Sequence, residues 1–557
     1  MRQTLRQLNW QFVRSRACSC TQIGVNSACS RGLVGQAGTQ SRPYWSIVDP
    51  LKSPPREIEL KLTVDPADAG RIKRHLDTEF HKRRSPGRTL VSVYFDTADL
   101  RLRHAGLSLR VRRAGRKHMQ TIKASAGART GYFDRAEWEC VIKGPQPDLD
   151  LMRGTPLESV LQGRNADALA PLFETRIRRT EFRATDSDSQ IAVALDQGEV
   201  DTGQRRSPLC EVEMELVRGT PAALFHWARR LNEVVPLHLA TQSKADRGYE
   251  LLAGEKNPID TAGAVHITES MTSQEAFQII GRECLRHLMA NETATLTGNS
   301  EGLHQMRVAL RRLRAAISVF AKVAADADTQ KIKDQLAWIT GELGPARDLD
   351  TFTEEVLAPF RQQNPKAPGL AHVCRDFAKR RAQAHADAAA AVKSMSFRSL
   401  VLQVAEWIEA GRWTQSDGEL LRQQREQPIA AHAAGDLTRR LQQIRKQGRK
   451  LRDLTPAKRH KFRIRAKKLR YAMEFFADVF QGKKSAARRK AAVSSLKGLQ
   501  DALGALNDIV AYERLLSQVA PATRRAILGP QKARVGELER SAERAYARLI
   551  KTKPFWP

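Results

Sequence analysis

The chain has 557 residues, with 93 Lys and Arg against 61 Asp and Glu, for a formal charge of +32. A single hydrophobic core stops growing well below this length, so two or three domains are expected, and the charge excess calls for an anionic partner, nucleic acid and polyphosphate both qualifying. No run approaches the roughly 18 apolar residues of a spanning helix, and the seven cysteines form neither a zinc pattern nor a disulfide framework.

Residues 1–48 contain no Asp or Glu but carry Arg2, Arg6, Arg14, Arg16, Arg31 and Arg42 among Ser, Gln and Gly. Such a composition fits a transit peptide and equally a disordered or misassigned extension, so 1–52 is expected to be a disordered or targeting-like segment outside the folded domains.

From 53 to 253 the texture is β-rich. Short alternating runs such as "REIELKLTV", "TLVSVYFDT", "LSLRVRRAG" and "LCEVEMELVRG" are divided by Gly, Pro, Asp or Asn, with helical stretches near 66–80 and 221–234. Many antiparallel strands in under 200 residues predict a barrel or a sandwich. Alternation puts Glu57, Glu59 and Lys61 on one face of their strand, and Glu211, Glu213 and Glu215 on one face of theirs. Arg110, Arg112 and Lys123 also alternate with apolar residues. In a barrel these charges face either solvent or a lumen. Carboxylates are the oxygen ligands a hard divalent cation prefers, and Arg and Lys partner phosphate oxygens, so a lumen holding both would suit a metal–oligophosphate complex.

Residues 254–272 read as a linker, and Thr272 with Glu275 forms a capping-box signal that opens a helical domain over 273–550. "LHQMRVALRRLRAAISVF" (303–320) and "RHKFRIRAKKLRYAMEFF" (459–476) match at an offset of 156, which predicts pseudo-repeats of about 273–430 and 431–550. His304, Arg307, Arg311 and Arg314 form one stripe of a helix, and His460, Arg463, Lys467 and Arg470 repeat it. Met306, Leu310, Leu313, Ile317 and Phe320 run beside the first stripe, and Phe462, Ala466, Leu469, Met473 and Phe476 beside the second. Between Arg439 and Arg470, 15 of 32 residues are basic. Because the aromatics lie on the apolar stripe and not among the cations, nucleic acid is not the expected main partner; bare phosphate chains need only charge and donors.

The repeated HxxRxxxRxxR stripe, with "RDLD" and "LND" at Asp348 and Asp508, resembles a CHAD domain over about 273–550, departing from internal symmetry at Lys467 (for Arg311) and Asn507 (for Arg347). The ExExK start resembles a CYTH domain, the triphosphate tunnel metalloenzymes, over 56–253. "YFDT", "GLSLRVR", "TIK", "RAEWE", "ETRIRRTEF", "VALDQGEVD" and "QSKADRGYEL" follow in family order. The resemblance implies an α+β multidomain protein. Its N-terminal part would be an eight-stranded antiparallel β tunnel with flanking helices, and its C-terminal part an all-α duplicated helical bundle around a basic channel.

It further implies Mg2+- or Mn2+-dependent hydrolysis of inorganic triphosphate to pyrophosphate and phosphate, and binding of polyphosphate by the helical domain. Metal ligands would be Glu57, Glu59, Asp196, Glu211, Glu213 and Glu215, with Glu137 a further contributor. Catalysis would rest on Glu57, Glu59, Lys61, Arg179 and Lys244. Substrate would meet Lys61, Arg110, Arg112, Lys123, Arg179, Lys244 and Arg247, Arg176 competing with Arg179. Polyphosphate would meet His304, Arg307, Arg311, Arg314, His460, Arg463, Lys467 and Arg470. The expected location is cytoplasmic, with polyphosphate granules as a candidate address and no membrane partner; oligomeric state is not predicted. The alternatives are a non-enzymatic polyphosphate-binding or granule-associated protein, and a CYTH enzyme acting on nucleoside or thiamine triphosphate.

Overall fold

The computed structural model describes residues 56–79, 87–124, 130–161, 168–186, 188–254, 259–415 and 418–557. The extension expected over 1–52 lies outside the described residues. β1 (Arg56–Val64), β2 (Arg88–Asp96), β3 (Leu107–Ala114), β4 (Lys117–Ala124) and β5 (Tyr132–Ile142) precede β6 (Ala170–Thr185), β7 (Gln190–Asp201), β8 (Arg206–Arg218) and the short β9 (Leu237–Leu239). They hydrogen-bond in the order β5-β4-β3-β2-β6-β7-β8-β1-β9, and a further β5–β1 pairing closes the first eight into a barrel. β1 therefore decides between barrel and sandwich. It pairs β8 along one edge, and along the other it pairs β5 through Arg56–Leu60 and β9 through Leu62–Val64. At the branch the Lys61 N–H donates to the Gly131 carbonyl at 2.7 Å. Gly131 has φ +79°, and a side chain there would collide with Leu239 and the Lys61 carbonyl.

Alternation sorts each strand into two faces. On the outer face Leu60, Leu62, Val193, Val212 and Met214 are buried beneath helices Ala69–Glu79 and Pro221–Val234, through Ile72, Leu76, Leu224, Phe225 and Leu231. Leu107, Leu109, Val111 and Ile122 form a second outer patch with Met152 and Leu157. The lumenal face is apolar only in part: Leu90, Tyr94, Phe173, Ile177, Val200 and Leu209 meet Ala245 and Tyr249 of helix Lys244–Ala253. Gly248 lets this helix sit on Phe173, whose ring lies 2.0 Å from where a Cβ would stand. The Ser243/Asp246 capping box that starts the helix is a readable signal, although the sequence reading placed no helix there.

The segment expected as a linker has no helix or strand over 259–271, yet it is strapped to the helices. Asp260 accepts from Arg286 at 2.7 and 2.9 Å, and Val265 and Ile267 are buried. The capping box at Thr272 and Glu275 opens helix Ser273–Ala290. The two stripes form helices Ser300–Val319 and Pro456–Phe475, and all ten residues of the two apolar rows are buried. The second repeat opens with helix Ile429–Gly448. The helical domain runs past 550: Phe555 and Trp556 are buried, and the Trp556 indole donates to Thr438 at 2.8 Å.

Barrel and helices share one hydrophobic core. Helix Pro221–Val234 packs on helix Met395–Ala410, where Arg229 pairs with Glu406, and the Arg282 guanidinium stands 6.0 Å from the Tyr132 ring. Among the described residues no helix is long and apolar enough to cross a membrane.

Candidate functional site

Strand register gathers the charged rows into the lumen. Glu57 lies opposite Arg135, Glu59 opposite Glu215, and Lys61 opposite Glu213; Lys123 faces Glu137, and Arg179 faces Asp196, which faces Glu211. Because the pleat alternates, the outer face of each strand takes the core while the inner face takes charge. "REIELKL" is thus one wall of a tunnel.

The carboxylates form two groups. Asp196, Glu211 and Glu213 bring oxygens within 4.8 Å of one another. Lys244 is seated among them, its Nζ 2.8 Å from both Asp196 and Glu213 and paired with Glu211. Arg179 donates twice to Asp196 at 2.7 Å and also binds Glu213. Burial alone would push Asp196 and Glu213 up, but Lys244, with Arg179 and, for Glu213, Lys61, holds both below the ordinary carboxylate range, Glu213 far below it. Lys61 joins the groups, bonding Glu213 on one side and lying 3.2 Å from Glu59 on the other. The second group is Glu57, Glu59, Glu137 and Glu215. Lys123 reaches Glu57 at 2.6 Å and Glu137 at 3.0 Å, and Arg135 reaches Glu57 at 3.3 Å and also Glu59.

Two lumenal groups form no ion pair among the described residues, although Lys123 acts on Glu215 and Glu139 on Arg112 from a distance. Glu215 has no cation partner, and burial together with Glu57, Glu59 and Glu137 pushes its carboxyl up to about 7. Arg112 has no carboxylate partner; its Nε donates to Ser92 at 3.3 Å, and burial with Arg110 and Arg179 pulls it down to about 10. A carboxylate and a guanidinium without direct partners in one lumen are the donors a divalent cation and a phosphate chain would complete. Glu211 Oε2 is also buried without a hydrogen-bond partner.

Of the other residues singled out in the sequence, Arg110 lies 3.9 Å from Glu137 and 3.7 Å from Glu139. Arg176 turns outward, exposed and paired with Glu174 at 2.5 Å, because it differs in strand parity from Arg179. Arg247 follows Lys244 on its helix but makes no ion pair with the lumenal carboxylates. Arg135 was given no role from sequence, yet it is buried between Glu57 and Glu59 with its guanidinium 4.8 Å from the Phe133 ring. The spacing of Phe133, Arg135, Glu137 and Glu139 carried the signal.

In the helical domain Arg307 and Arg311 converge with Arg463 and Lys467, and with Arg347, Asp348 and Asp508. Burial and mutual repulsion pull Arg307 down to about 10 and Lys467 down to about 7, while burial and Arg347 pull His304 down to about 4. Asp348 and Asp508 are pushed up, burial being the main cause of each. The Nε atoms of Arg307, Arg311 and Arg463 are buried and unpartnered. The ends of the stripes depart from the expected row. Arg470 pairs with Glu474 at 2.9 Å and Gln500 at 3.0 Å, His460 is exposed and 3.0 Å from Asn507, and Arg314 is exposed, its charge acting instead on Lys468. Ten residues along a helix is about 15 Å and 80° from the starting direction, far enough to bring other partners within reach.

A closed eight-stranded tunnel with a charged lumen, followed by a duplicated helical bundle, defines the class of protein. The chain matches the CYTH domain family over residues 55–249 and the CHAD domain family over 279–517, and it is a CYTH domain followed by a CHAD domain. Over 198 residues it is 29% identical to the inorganic triphosphatase of Haemophilus influenzae, covering 35% of this chain and 55% of that relative's length. Among solved structures, the CHAD domain from the plant Ricinus communis is 26% identical with a TM-score of 0.43, covering 54% of this chain and 98% of that one. A Hippeastrum putative adenylyl cyclase with a dominant triphosphatase activity is 19% identical with a TM-score of 0.28, covering 36% and 97%.

Proposed function

We propose that the tunnel hydrolyses inorganic triphosphate to pyrophosphate and phosphate with Mg2+ or Mn2+, and that the helical domain binds polyphosphate. The observation that carries this reading is the lumen in which, among the described residues, Arg112 forms no ion pair with a carboxylate and Glu215 none with a cation, so that Arg112 is pulled down and Glu215 pushed up. Glu57, Glu59, Glu213 and Glu215, with Asp196 and Glu211, would hold the divalent cation, which when bound neutralises phosphate charge and activates or orients a water. Arg110, Arg112 and Lys123 line one side and would grip the phosphate chain. Lys61, Arg179 and Lys244 already sit in carboxylate contacts, so their place is fixed before substrate arrives. Such preorganised cations stabilise charge that grows on the equatorial and leaving oxygens without reorienting.

Helix Lys244–Ala253 and its apolar contacts close one side of the lumen to bulk water, which strengthens each of these interactions. In the helical domain the crowded cations of the two stripes repel one another when empty, and a phosphate chain lying between them removes that repulsion. The test is a hydrolysis matrix of tripolyphosphate, ATP and thiamine triphosphate against Mg2+ and Mn2+ on the intact protein. Tripolyphosphate is expected to turn over fastest. Glu57→Gln with Glu59→Gln is expected to abolish turnover while polyphosphate still binds. Turnover unchanged in that double variant would leave a binding protein.

A further inference from the structure

Around Glu474 the two halves of the internal duplication are not equivalent. In one half, Glu474 accepts from Arg312 at 3.4 Å and from Arg470 at 2.9 Å, so two cations share a carboxylate. The same offset of 156 residues carries Glu474 to Ser318, Arg470 to Arg314 and Lys468 to Arg312. The counterpart of the Glu474 cluster is therefore Ser318 with Lys468 and Arg314, and its carboxylate is gone. A second change goes the same way: Arg440 stands where the first repeat has Cys284, which itself contacts Arg312.

The contacts agree with this symmetry. Lys468 Nζ lies 3.4 Å from Ser318 Oγ, and Arg440 Nη2 donates to the Ser318 carbonyl at 2.9 Å and lies 3.4 Å from its hydroxyl. Arg440 is 6% exposed and is oriented by Asp436, which Arg439 also engages. Arg314, Lys333 and Arg465 complete the cluster, acting on Lys468 with Arg440. Among the described residues none of Arg314, Lys333, Arg465 and Lys468 has a carboxylate partner. Ser318 is half-buried and Arg314 exposed, so the cluster is open to solvent. It is separate from the channel cations, because Lys468 projects about 100° from Lys467 on the same helix.

We propose that Ser318, Arg314, Lys468 and Arg440 form a second oxyanion site that takes phosphate groups, on a different flank of helix Pro456–Phe475 from the channel. The missing carboxylate marks where the ligand's charge belongs: the oxyanion replaces Glu474's role, accepting from Lys468, Arg314 and the Ser318 hydroxyl. Charge-assisted hydrogen bonds of this kind are shorter and stronger than those from neutral donors. The site does not depend on the tunnel's being a triphosphatase.

The test uses the full chain with Arg307, Arg311, Arg463 and Lys467 changed to Ala, titrated calorimetrically with pyrophosphate in EDTA. Ser318→Glu, which copies the other half, is expected to bind one fewer pyrophosphate per chain and to unfold at the same or a higher temperature, the new carboxylate pairing with Lys468 and Arg314. Lys468→Gln checks the same loss without adding a charge. Equal stoichiometry and affinity in parent and both variants, for pyrophosphate and for long-chain polyphosphate alike, overturns the proposal. Long-chain polyphosphate is the second arm. If Ser318→Glu weakens it but leaves pyrophosphate binding intact, the site takes interior units of a chain; loss in both arms assigns it to free phosphate groups as well.

Discussion

Glu213 is the carboxylate on which three buried cations converge, so Glu213→Gln is the most informative single change in the tunnel. The substitution keeps the shape and removes one charge. Lys61, Arg179 and Lys244 then share Asp196, Glu211 and Glu59, and the Glu213 position can no longer accept as an ion. Glu213 is largely buried, at 13% side-chain exposure, and removing one partner of a buried ion pair costs about 3–5 kcal/mol. For a domain of about 200 residues that corresponds to a Tm lower by about 6–20 °C.

The Glu213 carboxyl is held well below its ordinary range, so its contribution is present above the unfolded-state value and lost as pH falls through the folded value; the gap between variant and parent should close in acid. Thermal unfolding of the full chain at neutral pH measures the loss. Adding tripolyphosphate without metal should restore part of it, because the ligand supplies negative charge to the stranded cations and binds only the folded state. Phosphate release should fall to background. A Glu213→Gln protein within about 0.5 kcal/mol of the parent, the range of ordinary surface changes, would refute the reading of the cluster as one interdependent network.

Arg179→Ala should abolish phosphate release, whereas Arg176→Ala, in an exposed pair on the outer face, should leave both turnover and Tm unchanged. Lys467, pulled down to about 7 by burial and neighbouring cations, should take up a proton when polyphosphate binds near neutral pH. Calorimetry in buffers of different ionisation enthalpy reads that uptake, and Lys467→Arg should remove it. Because the folded protein holds this proton less tightly than the unfolded chain, the same residue should make stability rise with pH between about 7 and 10. Replacing Arg307, Arg311, Arg463 and Lys467 by Ala should weaken polyphosphate binding and flatten its salt dependence, measured by titration at several ionic strengths.

Alternation and helical period are local properties, and they were legible. The inner row Glu57, Glu59, Lys61, the Glu-rich β8, the capping box at Thr272 and the apolar rows of both stripe helices follow from spacing of 2.0 or 3.6 residues alone. The duplication was legible too, since matched residues recur at one offset. What spacing leaves open is which charges meet. Closure of the barrel through β1–β5 decided that the charged faces look inward, because that pairing depends on two strands about 75 residues apart.

Register then decided that Asp196, Glu211 and Glu213 enclose Lys244 while Glu215 is left beside Glu57 and Glu59, and that Arg135 enters between them. Nothing in a strand's own sequence sets its stagger against a partner. The same holds for the stripes: their four-residue rows are properties of one helix, but which members face the opposite repeat depends on how two helices cross, so Arg314 left the crowd that Arg311 and Lys467 joined, and Arg470, still acting on Lys467, took Glu474 as its partner. Composition and periodicity determined the kinds of surface this chain carries, and tertiary packing alone determined which charges were left without partners.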